Sequence, residues 1–247
     1  MRKIFLFITS LFLLTACTSK DQQIISKTQK AHEQLSYVKI DGTESSGSHI
    51  TELQEYVDFK HDKMESFNNS LGNMSIKDGE KFYVVEPLGF LSFPENKKGT
   101  MRESLTRKER LYRQPFEFFK AYDKDFFKHL IVNEEENHYT IHYNPEDKAV
   151  REAFYKAYIL DFLYAARDAN NESDELEKMQ FDIDTFDLMF EIDASTNYIT
   201  KIQTTEKSTL ELAGEKVKLE RETIYLFSEF DEEHKISIPD EAIEITH

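Results

Sequence analysis

Three stretches near the C-terminus decide the fold of this chain: MQFDIDTFDLMFEID (residues 179–193), NYITKIQTTEKSTLEL (197–212) and EKVKLERETIYLFSEF (215–230). Each reads as a strand, and the second and third meet at Ala213-Gly214. Strands joined by tight turns pair antiparallel, because a parallel pair requires a long crossover. Toward the N-terminus the period of two recurs in YVKIDGTESSG (37–47) and, imperfectly, in ITELQEYVDFKHDKMESF (50–67), where Leu53, Val57 and Phe59 oppose Gln54, Asp58 and Lys60. In MSIKDGEKFYVV (74–85), Asp78-Gly79 between two extended runs signals a tight hairpin. NHYTIHY (137–143) alternates again, with Tyr139, Ile141 and Tyr143 on one face.

Helical periods interrupt the strands at three places. DQQIISKTQKAHEQL (21–35) spaces Ile24, Ile25, Thr28, Ala31 and Leu35 as one amphipathic helix. Pro115 suits a first helical turn and opens PFEFFKAYDKDFFKHL (115–130), with Phe116, Phe119, Phe126 and Leu130 near helical spacing. NPEDKAVREAFYKAYILDFLYAARDA (144–169) reads as a long helix with a broad face of Val150, Phe154, Ala157, Tyr158, Phe162 and Ala165. Residues 86–114 are irregular, and FPENKKGTMRESLTRKERLYRQ (93–114), the one locally basic segment, reads as a solvated loop or short helix. A short KISIPDEAIEI (235–245) finishes the chain. The interposed helices need a sheet face to cover. The class is therefore α+β: one long, curved antiparallel sheet with helices on one side.

Composition sets further bounds. Thirteen per cent aromatic residues, 20 Phe and 12 Tyr without Trp, argue for a packed core despite the high charge. The chain holds 31 basic and 47 acidic residues, and two of the basic ones lie in the first three positions, so the remainder carries a net charge of −18. Nucleic acid is excluded as a partner, since binding its backbone needs a basic face.

The N-terminus MRKIFLFITSLFLLTAC has the three parts of a secretory signal: Arg2 and Lys3, an uncharged run from Ile4 to Leu14, then small residues. The run is too short to span a bilayer as a mature helix. Leu14-Thr15-Ala16-Cys17 resembles the lipobox of bacterial lipoproteins, and Cys17 is the only cysteine in the chain. The resemblance implies removal of residues 1–16, a diacylglyceryl thioether on Cys17 and acylation with chains such as palmitate. Two chains hold a protein at a bilayer durably, at about 0.8 kcal/mol per buried methylene. Residues 17–21 then form the lipidated terminus and a short tether, and residues 22–247 a single domain at the outer face of the cytoplasmic membrane.

No Gly-rich phosphate loop, Gly-x-Ser-x-Gly elbow or His-Glu-x-x-His motif is present. His138 and His142 have helical zinc spacing, but on a strand they stand about 13 Å apart and share no ion. Asp182, Asp184 and Asp187 loosely resemble the start of a calcium loop, without its glycine or distal glutamate. The expectation is a non-enzyme with no catalytic residues, no metal and no cofactor beyond the acyl group. The Phe-rich elements leave two readings open. Phe116, Phe119 and Phe126, facing Phe154 and Tyr158, either fill a core or line a cavity for a lipid-like guest.

Several segments together resemble a known group. The lipobox, the N-terminal helix, PFEFFKAYDKDFFKHL running into IVNEEENHYTIHY, and the C-terminal IYLFSEFDEEHKISIPDEA resemble Gram-positive lipoproteins of uncharacterised function. That group is similar to the LolA-like and LppX-like lipoprotein-carrier superfamily. The closing pattern is matched by Phe227 to Phe230 and Ile236 to Ala242. The resemblance implies an unclosed β-barrel, with helices packed on the concave face and acyl chains held between sheet and helices. The expected partners are the membrane, through the anchor, and a lipid or lipoprotein ligand. The rival expectation is an anchored protein- or peptide-interaction module with a fully packed interior.

Overall fold

The computed structural model describes residues 19–85, 98–165, 180–212 and 215–245. Eleven strands form one sheet in the order β11-β5-β4-β3-β2-β1-β10-β9-β8-β7-β6, antiparallel throughout and not closed into a barrel. In chain order they are β1 (Tyr37–Ser46), β2 (His49–Asp58), β3 (Lys63–Asn68), β4 (Asn73–Asp78), β5 (Lys81–Val85), β6 (Leu130–Glu134), β7 (His138–Tyr143), β8 (Gln180–Asp193), β9 (Ile199–Leu212), β10 (Glu215–Ser228) and β11 (Ile243–Glu244). The three stretches that decide the fold are β8, β9 and β10, each 14 residues long, in the middle of the sheet. The Asp78-Gly79 turn forms as expected, with Gly79 at φ +59°, where a side chain would strain the backbone.

Among the described residues four α-helices pack on the concave face: α1 (Lys20–Glu33), α2 (Lys98–Arg113), α3 (Pro115–Lys120) and α4 (Lys148–Ala165). The Ser19 side chain caps α1 by accepting from the Gln22 N–H at 3.2 Å, and Asp21 and Lys30 sit at the ends that favour their charges. Two sequence expectations change. The basic segment, expected as a solvated loop or short helix, is a 16-residue helix, α2, because Leu105, Leu111 and Tyr112 give it a buried face against the sheet. The helix expected over residues 115–130 stops at Lys120 and resumes only as a 3-10 turn at Phe126–His129. Asp123 breaks it, since its carboxylate accepts from the Asp125 N–H at 2.8 Å, the His129 ring at 2.6 Å and the Tyr143 hydroxyl at 3.0 Å.

Register explains what each row of the concave face contains, because opposite partners share a face. One row runs Gly42, Tyr225, Ile202, Phe190 and Ile141 across β1, β10, β9, β8 and β7. Its side chains are at most 9% exposed. Two positions along, the row is Glu44, Thr223, Thr204 and Leu188; two further, it is Ser46, Arg221, Glu206 and Phe186. The face therefore passes from apolar to charged along the strands.

The chain after β10 turns back along the sheet and meets Tyr56 of β2 and the strand β5. Asp231 accepts from the Ser36 N–H at 2.8 Å and from the Tyr198 hydroxyl at 2.9 Å, and His234 stacks on Tyr56 at 3.7 Å. The segment KISIPDEAIEI pairs only through Ile243–Glu244 against β5; its proline and polar residues run over the surface. No described helix is long and apolar enough to cross a membrane.

Candidate functional site

The five aromatic residues singled out from sequence come together. Phe116 and Phe119 stand on α3, Phe126 opens the 3-10 turn, and Phe154 and Tyr158 stand one turn apart on α4. Phe119 has its ring centroid 6.3 Å from Phe126, 6.4 Å from Phe154 and 6.0 Å from Tyr158, while Phe190 of β8 links it to Phe116 at 5.7 and 4.9 Å. The four Phe are at most 1% exposed and Tyr158 is 8% exposed. These separations are those of favourable offset and edge-to-face aromatic packing. Phe186, half-buried, extends the cluster toward the charged row, 5.4 Å from Phe154 and 6.2 Å from Tyr158. Cys17, the side chains of Phe162 and Ala165, and residues 86–97 lie outside the described residues.

Beside this cluster lies a buried polar array that the sequence reading missed. Glu55 of β2 is fully buried; it accepts from the Ser66 hydroxyl at 2.6 Å and from the Tyr112 hydroxyl, and pairs with Lys108 at 2.7 Å. An isolated buried carboxylate would cost several kcal/mol, roughly, and these three donors offset that cost. Next along the face, the Tyr225 hydroxyl donates to Glu44 at 2.9 Å. Burial, reinforced by these carboxylates, holds both tyrosine hydroxyls well above their ordinary pKa, so they remain donors.

Deeper in the charged row, Glu206 of β9 is 2% exposed and meets the Arg221 Nε of β10 at 2.9 Å through one oxygen. Its other oxygen, Oε2, is buried and has no hydrogen-bond partner among the described residues. Burial raises the Glu206 carboxyl above its usual value, against the opposing pull of Arg221 and of the Tyr155 hydroxyl. The Tyr155 and Ser208 hydroxyls bond to one another at 2.7 Å alongside, and burial pushes Tyr155 up to about 12. Arg107 of α2 lies over the rings of Phe118 and Tyr158, at 5.3 and 5.5 Å, joining the aromatic and polar parts. A signal for this array exists in the sequence: Thr204, Glu206 and Ser208 share the parity of buried Ile202, and Arg221 and Thr223 that of Tyr225. In so acidic a chain, however, inward and outward carboxylates look alike.

The array holds both hydrogen-bond donors and acceptors. His138 and His142 sit on one face of β7, their ring nitrogens 3.2 Å from a Glu135 carboxylate oxygen and 3.6 Å from an Asp187 carboxylate oxygen respectively. Asp182, Asp184 and Asp187 lie along β8. Among the described residues no three His, Cys, Asp or Glu side chains converge as a metal site.

Comparison with known proteins finds distant similarities and one family. The chain is similar to the solved structure of the Mycobacterium tuberculosis lipoprotein LppX, at 9% identity and a TM-score of 0.44, over 87% of this chain and 97% of that one. It is similar to the Pseudomonas aeruginosa MucA/MucB complex at 8% identity and a TM-score of 0.40, over 91% of this chain and 63% of that one. A DUF1329 protein from Desulfovibrio piger matches at 9% identity and a TM-score of 0.29, over 88% and 96% of the two chains. LppX, named by the sequence resemblance, thus stands among the structures that match. No curated protein matches in sequence. The model of a family of unknown function, DUF6612, matches residues 78–246, which is more than half of the chain, and the chain belongs to that family.

Proposed function

We propose that this chain is a membrane-anchored extracytoplasmic lipoprotein that binds an amphiphilic ligand on the concave face of its open sheet, and that it is not an enzyme. One observation carries the reading: on that face an apolar aromatic surface adjoins a charged, hydrogen-bonding row. Phe186 and Tyr158 form the boundary, with Glu206 directly opposite Phe186 in the β8–β9 register. An amphiphile presents the same sequence of surfaces along its own length, an acyl part and then a polar head. The anchor is acylated Cys17. Only Thr18 separates it from the α1 cap Ser19, so the fold begins within about 10 Å of the anchor. Lys20 pairs with Glu134 of β6, which brings that end of the sheet close to the bilayer.

Native mass spectrometry of the full-length protein, expressed in cells and extracted with mild detergent, tests the binding. The expected result is a retained adduct of lipid mass; bare protein, under conditions in which a known lipid carrier keeps its ligand, would remove this reading. Membrane fractionation of Cys17→Ala tests the anchor. Release into the soluble fraction, or an uncleaved precursor, is expected; normal processing and retention would show that Cys17 is not the attachment point.

A second reading is supported by the contacts among Phe116, Phe119, Phe126, Phe154 and Tyr158, whose rings occupy the space between α3, α4 and β8 themselves. In that case the protein is an anchored interaction module, with its core filled and its partner a protein or peptide. The absence of any lipid adduct favours it.

A further inference from the structure

We propose that β6, the open edge of the sheet, pairs antiparallel with β6 of a second copy of this chain, joining the two sheets across a two-fold axis at Val132. This edge takes no part in the ligand-binding reading, and the pairing stands whether or not a lipid is bound.

The backbone of β6 is prepared for a further strand. It is the last strand of the sheet, and among the described residues no strand lies on its other side. The Asn144 N–H donates to the His129 carbonyl at 2.9 Å, and the Glu135 N–H donates to the His138 carbonyl at 2.9 Å. Those bonds fix the alternation of the ladder. Ile131 and Asn133 bond inward to β7, while Leu130, Val132 and Glu134 aim their N–H and C=O groups outward. Such an edge invites pairing unless it is very short, charged inward or broken by proline. The opposite edge, β11, is only two residues long, whereas β6 offers five, LIVNE, without proline.

The side chains select the occupant. Exposed Lys124 and Lys128 precede β6, and exposed Glu134, Glu135 and Glu136 end it. An antiparallel pair centred on Val132 sets Leu130 opposite Glu134 of the second copy and Val132 opposite itself, so the three outward residues bond one another. The same register carries the lysine-bearing end of each copy alongside the glutamates of the other, so the segment is complementary to itself. Within one copy Lys128 meets Asp125 at 2.7 Å and Lys20 meets Glu134, but these pairs are exposed and cost little to exchange. The chain's net charge of −16 opposes self-association. At physiological salt, charges more than about 8 Å apart are largely screened, and the local pattern decides. Ile131, 46% exposed, then stands opposite Asn133 of the second copy and diagonal to its Ile131, which covers apolar surface on both copies.

Sedimentation of the purified full-length protein in mild detergent reads the assembly without any variant. A two-chain mass is expected, and a single-chain mass alone would overturn the proposal. Oxidation of Val132→Cys in the same preparation locates the contact, since opposite residues of a bonded pair stand about 5.5 Å apart, within disulfide reach. Cys17 is the only native cysteine, so the parent protein serves as the blank. Disulfide-linked dimer should exceed that from Leu71→Cys, an exposed turn position, by at least about tenfold, because only the first pair has bridging geometry. Equal trapping from the two, or none from Val132→Cys, would place the contact elsewhere and reject β6. Lys128→Glu in the Val132→Cys background should weaken trapping, and adding Glu136→Lys should restore it, because the exchanged ends match again. A loss that the added substitution fails to recover would refute the self-complementary register.

Discussion

His32 offers a sharp physical test of how the helices are fixed to the sheet. It is fully buried on α1, and its ring joins three elements. The Ile199 N–H of β9 donates to Nε2 at 2.8 Å, so the proton resides on Nδ1, which donates to the Tyr112 carbonyl of α2 at 3.1 Å. Protonating Nε2 would abolish the first bond and place a charge in an apolar site, between the edges of Tyr198 and Phe227. Burial accordingly lowers its pKa from 6.5 to about 4, against the smaller opposing effect of the Tyr112 carbonyl. Because the folded pKa lies below the unfolded one, the unfolded state binds the proton more tightly. The contribution of His32 is therefore complete above pH 6.5 and is lost as pH falls toward 4. A shift of that size corresponds to about 3 kcal/mol in full and about 1.4 kcal/mol between pH 8 and 5.5, a range that stays above the isoelectric point near 5.0. Urea unfolding of the parent protein and of His32→Gln at both pH values isolates it, since the carboxylates and other histidines cancel in the difference. The stability gap between the two proteins should shrink by that 1.4 kcal/mol at pH 5.5. A gap that does not change with pH, or an imidazole that titrates near 6.5 by NMR, would refute the argument.

Three further substitutions probe the packing. Phe119→Ala removes the ring at the centre of the aromatic cluster and should cost about 3–5 kcal/mol in urea unfolding; a loss below about 1 kcal/mol would mean the site collapses around the gap. Tyr112→Phe deletes one of the three donors to buried Glu55 and should cost about 1–3 kcal/mol, with the loss diminishing once Glu55 is also replaced by Gln in a double-mutant cycle. Gly42→Ala would place a methyl 3.1 Å from two ring atoms of Tyr225, so thermal unfolding should show a loss of about 1–3 kcal/mol; an unchanged midpoint would mean the ring yields freely.

Much of the sheet could be read from the chain because its strands are long, β-branched and separated by recognisable turns. The Asp78-Gly79 turn and the alternation of Tyr139, Ile141 and Tyr143 are local signals, and each maps directly onto the structure. The helix α2 was harder, since KGTMRESLTRKERLYR is mostly polar and its buried face rests on Leu105 and, six positions on, the adjacent pair Leu111 and Tyr112. The break after Lys120 depends on Asp123 finding His129 and Tyr143 on another element, a tertiary contact that no periodicity encodes. The aromatic half of the site was visible as helical spacing of Phe and Tyr. The polar half was not, because Glu206 and Arg221 become partners only through the β9–β10 register. A one-residue slip would turn both to the outer face, where charged side chains are ordinary.

On the proposed function, an amphiphile occupies the boundary between the aromatic cluster and the charged row. Photo-crosslinking with a palmitoylglycerol that carries a diazirine near its head, followed by peptide mass spectrometry, tests it most directly. Adducts should concentrate on peptides from α4 and β8 that contain Tyr158 and Phe186, and unlabelled monopalmitoylglycerol should compete them away. Adducts confined to the exposed apolar residues Ile50 and Leu71 at the turns, or labelling that excess ligand fails to compete, would contradict it.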